Sequence, residues 1–161
     1  MQHPPTALYH FEDENPPDFV MTGSRYFLLQ ELASPDTGEI AVHPRLLYFL
    51  DHARDQLRRP IIVTSGYRTE AHNRAVGGAP DSQHLYGRAA DIVPHDPNHF
   101  RHLGQILLRL QPPGLGLYCN PRGRRWFHID VRPGTVARWG TVDERKADRE
   151  GFSNALRLLS T

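Results

Sequence analysis

Cysteine is almost missing from this chain: its 161 residues include one, Cys119, which excludes an intramolecular disulfide framework and any finger built on paired cysteines. An excess of charge of either sign is missing too. Nineteen Lys and Arg face eighteen Asp and Glu, and the net charge of +1 removes the cationic footprint by which nucleic-acid binders neutralise phosphates, so no nucleic-acid partner is expected. Long apolar runs are absent: the longest, Leu46 to Leu50, falls far short of the ~18–20 residues of a spanning helix, and no membrane span is expected. Met1 to Asp18 has neither a basic stretch nor an apolar core of the kind that directs secretion, so a soluble protein made in the cytoplasm is expected. What is abundant is histidine. Ten are present, more than the seven Phe or six Tyr, and imidazole is both the commonest metal ligand and the usual acid or base near neutral pH.

The length fits one domain. Residues 1–24, with Pro4, Pro5, Pro16 and Pro17 among acidic residues, read as an extended Pro-rich leader, and residues 25–161 as a single domain with a core over 26–140 and a terminal helix over 143–159. Apolar residues recur at three and four from Pro44 to Leu57 and from Asn98 to Leu110, which predicts two amphipathic helices. A shorter helix is expected from Glu70 to Val76, stopped by Gly77, Gly78 and Pro80. Ile61–Thr64, Arg88–Val93, Leu115–Tyr118 and Trp126–Val131 read as strands, the last two joined as a hairpin through Asn120–Gly123, with Val136–Trp139 as an edge strand. Thr141-Val142-Asp143-Glu144 matches a capping box and is expected to start the last helix, with Phe152, Ala155, Leu156 and Leu159 inward. Few strands with helices around them and no strict alternation give an α+β fold, a small, mostly antiparallel sheet flanked by helices.

A carboxylate inside the apolar run Ala89-Ala90-Asp91-Ile92-Val93 is the informative oddity, because a buried charge is costly unless paired or metal-bound. His84 lies seven residues earlier, ~23 Å away on an unbroken strand; a turn at Gly87 would fold it back toward Asp91. In Trp126-Phe127-His128-Ile129-Asp130-Val131-Arg132, period two puts Phe127, Ile129 and Val131 in the core and Trp126, His128, Asp130 and Arg132 on the opposite face. If the two strands are neighbours, His84, Asp91 and His128 supply two imidazoles and a carboxylate, a set that suits Zn2+ with one position open. A lone strand histidine is more often solvated, and spacing alone leaves both readings standing. His95, His99 and His102 have chelating spacing, but a solvated helix face accounts for them. His3, His10, His43, His52 and His72 have ordinary settings.

Ser82-x-His84-x-x-Gly87-x-Ala89-x-Asp91 resembles the signature of the zinc D-Ala-D-Ala carboxypeptidase-like peptidases, family M15, which share a fold with the Hedgehog signalling domain. Thr64-Ser65-Gly66-Tyr67-Arg68-Thr69, Val76-Gly77-Gly78-Ala79, Gly114-Leu115-Gly116-Leu117-Tyr118 and Phe127-His128-Ile129-Asp130-Val131-Arg132, with Arg138-Trp139, resemble its M15_3 subgroup, over roughly Tyr26 to Gly140. The resemblance implies a zinc metallopeptidase acting on peptidoglycan stem peptides or cross-links, either a D,D-carboxypeptidase or an endopeptidase, with His84, Asp91 and His128 as ligands. It implies Arg68 as the arginine facing substrate or the developing oxyanion. Ser82 is expected to orient a ligand or form a turn, and Tyr118 to line the cleft or pack in the hairpin.

One departure stands out. The dipeptidase branch carries a glutamate base three residues before the last zinc-binding His and a Trp directly before it, where this chain has Arg125 and Phe127. Arginine cannot accept a proton. Asp130, on the His128 face, is the candidate base, with support of a ligand histidine or of Arg68 as the alternative; Arg132 is expected to support the same face. Two functions therefore stay open: a peptidase reaching the cell wall after lysis or by non-classical export, and a non-catalytic zinc-containing wall-binding or structural domain. Nothing in the sequence sets the oligomeric state.

Overall fold

The computed structural model describes residues 7–10 and 24–161. Strand β1 (Ala7–His10) pairs antiparallel with β2 (Glu39–Val42) in a two-stranded sheet. Part of the segment read as an extended leader is thus a strand; the rest of that reading, 1–6 and 11–23, lies outside the described residues. Helix α1 (Pro44–Leu57) starts with a proline, which lacks the N–H that a first turn leaves unpaired, and His43 caps it, its Nδ1 accepting from the Arg45 N–H at 3.2 Å. The residues that recur at three and four, Leu46, Leu47, Leu50, Ala53 and Leu57, lie on its buried face together with Phe49 and Asp51.

The main sheet contains β3 (Ile61–Ser65), β4 (Ala89–Pro94), β5 (Gly114–Cys119), β6 (Arg125–Asp130) and β7 (Ala137–Thr141) in the order β3-β4-β6-β5-β7. All neighbours are antiparallel except β5 and β7, which are parallel. Helices α2 (Glu70–Ala75), α3 (Phe100–Leu110) and α4 (Arg149–Ser160) are the other α-helices among the described residues, with short 3-10 turns between elements, so the fold is α+β with a mostly antiparallel sheet, as expected. Ala90, Ile92, Leu115, Leu117, Phe127 and Ile129 are fully buried on the face of the sheet that carries the core, and Phe127 stacks on Phe100 of α3 at 4.3 Å between ring centroids. No helix among the described residues is long and apolar enough to cross a membrane.

The last helix begins later than its apparent signal. Thr141 ends β7 in register with Tyr118, and its hydroxyl bonds Asp143, whose Oδ1 accepts from the Arg145 N–H at 2.9 Å. The capping-box residues therefore close a turn. The functioning cap is Asp148, which accepts from the Gly151 N–H at 2.7 Å, and the inward set holds: Ala155 and Leu159 are buried, with Phe152 and Leu156 packed beside them.

Cys119, at the end of β5, is 3% exposed, and burial pushes its thiol pKa up to about 12 despite nearby Arg125. At pH 8 the thiolate fraction is negligible, so a disulfide reagent should label Cys119 only as fast as the protein opens. Labelling of native protein at the rate of the denatured chain would contradict this placement.

Candidate metal centre

The free face of the sheet carries one transverse row. Ser65, Asp91, His128, Gly116 and Trp139 are successive cross-strand partners on β3, β4, β6, β5 and β7. Register alone thus puts Asp91 beside His128, because directly opposed residues have Cβ atoms ~4.5–5.5 Å apart. Gly116 makes room in this row: a Cβ there would meet the Trp139 indole nitrogen at 2.7 Å.

His84 reaches the row from outside the sheet. It sits in a single 3-10 turn, Gln83–Tyr86, whose N-terminus is capped by the Ser82 hydroxyl accepting from the His84 N–H at 3.3 Å. Gly87 ends the turn with φ of 63°, the left-handed conformation that reverses the chain, and its Cα lies against β2, where a Cβ would approach the Ala41 carbonyl oxygen to 2.3 Å. The fold-back expected at Gly87 is therefore present. The His84 Nδ1 lies 2.6 Å from the Gly66 carbonyl oxygen, which can only accept, so the ring carries its proton on Nδ1 and turns Nε2 toward Asp91 Oδ1 at 3.4 Å.

Asp91 is the hub. Its Oδ2 accepts from Arg68 Nη2 at 2.9 Å, and its Oδ1 stands 2.9 Å from His128 Nδ1. Burial disfavours its charge, but the hydrogen bond to His128 and the neighbouring positive charge outweigh that and hold the carboxyl well below the usual carboxylate range. Burial also lowers the His84 pKa and keeps that ring neutral. For His128, burial alone would lower the pKa, yet contacts with Asp130 and Asp91 raise it to about 9. His84, Asp91 and His128 each offer one ligand atom within 4.8 Å of the others, and among the described residues no such group forms around His95, His99 and His102.

These donors fit a divalent cation. A neutral His84 aims a bare lone pair at a carboxylate oxygen, an unfavourable pairing of two acceptors unless a positive charge sits between them. Two imidazole nitrogens and one carboxylate oxygen match a zinc site with an open position.

The other expected site residues are distributed around this cluster. Arg68 is braced by the Ser65 hydroxyl, which accepts from its Nε at 2.9 Å, and spans from there to Asp91 while lining the cleft. Ser82 reaches the His84 backbone rather than its ring. The Tyr118 hydroxyl accepts from Trp139 Nε1 at 2.9 Å, and its ring stacks on Trp126 at 4.1 Å. Asp130 is 0% exposed; its carboxylate is held by Arg132 and by His128 Nε2, on the far side of the ring from Asp91. The group expected as the proton acceptor is thus buried and is not among the residues lining the cleft. Arg125 lies over the Phe100 ring and Phe127 is in the core, so neither residue at the departing positions faces the cluster.

The cluster forms the floor of a cleft of about 700 Å3, with Tyr118, Trp126 and Trp139 on one wall and Arg132, Arg145 and Lys146 among the charged groups around it. Sequence reasoning missed the Gly66 carbonyl and the brace at Ser65. It quoted Gly114-Leu115-Gly116 as a motif but gave no role to its alternate glycines, a strand pattern that marks close approach of neighbours.

At the floor of an open cleft on an α+β sheet, the chain thus carries a three-donor group that could hold a metal ion. The family model described as Peptidase M15 matches residues 26–130, a span that contains all three donors, and the chain belongs to that family: it is a peptidase of the M15 kind. No curated protein matched the chain.

Proposed function

We propose that this protein is a zinc-dependent peptidase that hydrolyses peptide bonds in peptidoglycan stem peptides or cross-links. The observation that carries the reading is the His84, Asp91 and His128 cluster at the cleft floor, inside the segment matched to the peptidase family. When bound there, zinc would polarise the scissile carbonyl and bring the pKa of a coordinated water toward ~7. Arg68 holds Asp91 in its ligating orientation and presents the remaining face of its guanidinium to the cleft, where it can take a substrate carboxylate or an oxyanion. Ser82 fixes the turn that carries His84. The Tyr118, Trp126 and Trp139 wall packs the apolar parts of a peptide, and Arg132, Arg145 and Lys146 suit one rich in carboxylates.

A second reading, a zinc-containing domain that binds the wall without cutting it, is favoured by one observation. The carboxylates lining the cleft are Asp81 and the ligand Asp91, with Arg125 directed elsewhere and Asp130 sealed. Digestion of purified sacculi with zinc-loaded protein separates the two. Mass spectrometry of the soluble products should show muropeptides with new termini at one linkage; intact stem peptides after prolonged incubation, with one zinc per chain, would exclude the enzyme and leave the binding domain.

A further inference from the structure

We propose that Arg132, Asp130 and Gly114 form a clamp that presents His128 to the metal through Nδ1, while the Gly66 carbonyl presents His84 through Nε2; Asp130 is then a positioning residue, and the base lies elsewhere. The inference rests on the reading of the cluster as a zinc site. Asp130 Oδ1 accepts from the Arg132 backbone N–H at 3.0 Å and from its Nε at 2.8 Å. Oδ2 accepts from Arg132 Nη2 at 2.5 Å and faces His128 Nε2 at 2.9 Å. This two-pronged guanidinium grip fixes the plane of the carboxylate. The grip is tightened from the other side, because Arg132 lies over the Trp139 ring at 5.0 Å.

Gly114 supplies the space. It pairs with Asp130 across β5 and β6, and a Cβ at 114 would fall 2.2 Å from the carboxyl carbon and both oxygens. The carboxylate thus occupies the volume that any side chain at 114 would take. Ala89, the partner on β4, is also small and fully buried. The two nitrogens of the His128 ring face different carboxylates at 2.9 Å, so a cation bound beside Asp91 would take the lone pair of Nδ1 and leave the ring proton on Nε2, toward Asp130, whose ionised carboxylate can only accept. Carboxylate, histidine and metal in series is a common means of fixing ligand orientation. With both oxygens engaged and no exposed surface, Asp130 has no path to a proton in the cleft.

The test uses the full chain. Long-range proton–nitrogen NMR of the zinc-loaded, 15N-labelled protein should show opposite tautomers: His84 protonated at Nδ1 and His128 at Nε2. Competition titration should show zinc held ~10–100-fold more weakly by Asp130→Asn, the loss typical of an outer partner. Gly114→Ala, which displaces Asp130 from outside the cleft, should weaken zinc in the same direction. A role as base alone predicts wild-type zinc affinity with lost turnover. His128 bound through Nε2, or Asp130→Asn holding zinc as tightly as wild type, would overturn the clamp and leave the peptidase reading intact. A wild-type chain that takes up no zinc would overturn both. The tautomer measurement needs no variant, so it stands even if a substitution prevents folding.

Discussion

Asp91→Asn should fold, keep its contact with Arg68 and still fail to retain zinc, with release of peptides from sacculi falling to background. The substitution is isosteric, so the row from Ser65 to Trp139 stays in register. What it removes is the one negative charge that Arg68, His84 and His128 share. The metal loses a first-sphere anion, so affinity should fall by more than the ~10–100-fold of an outer partner. Asp91→Ala should do the same and also lower the stability of the metal-free chain, on the order of the ~3–5 kcal/mol seen when one member of a buried ion pair is deleted. Equilibrium dialysis followed by elemental analysis reads the first effect, and denaturant unfolding the second. Zinc retained at one per chain by Asp91→Asn would remove Asp91 from the ligand set.

Gly87→Ala should be among the most damaging single-methyl changes available in this chain. Two costs combine: an L-residue at φ of 63° and a Cβ driven to 2.3 Å from a backbone oxygen of β2. The left-handed conformation costs ~1–2 kcal/mol and overpacking against a fixed backbone ~1–3 kcal/mol, so roughly 2–5 kcal/mol of unfolding free energy should be lost. Gly77 and Gly134 are built-in controls, at φ of 70° and 81° with nothing within 4 Å of the added methyl. Gly77→Ala and Gly134→Ala should lose only the conformational part, ~1–2 kcal/mol. Because Gly87 ends the turn that delivers His84, the Gly87→Ala protein should also bind zinc more weakly. Equal unfolding midpoints for the substitutions at 87 and 77 would show that contact with β2 does not constrain this turn.

What the sequence made legible follows from how local each signal is. Asp91 stood out because a charge in an apolar strand needs a partner, and alternation assigned His128 to a shared polar face without reference to any neighbour. The pairing of β4 with β6 had no local signal, and there the family resemblance carried the expectation. Alternation reports a face and is silent on depth: Asp130 follows His128 on the same face, yet at the strand end it is enclosed by Gly114 and Arg132. The Gly66 carbonyl that fixes the His84 tautomer is a backbone group, available to any residue type. Thr141 to Glu144 carried a valid helix-start pattern, but β7 pairing with β5 claimed Thr141 first. Glu39–Val42 was passed over because it follows a turn cluster and its strand partner, Ala7–His10, lies far away in sequence.

The most direct test is reconstitution on one substrate. Zinc-loaded protein is incubated with purified sacculi and new amino termini are counted; the protein is then stripped with a chelator, assayed again, and resupplied with one equivalent of zinc. If His84, Asp91 and His128 hold a catalytic ion, new termini appear, cease on stripping and return with the single equivalent. Cleavage that persists at full rate in stripped protein, or no cleavage with the site filled, would contradict a zinc-dependent wall peptidase.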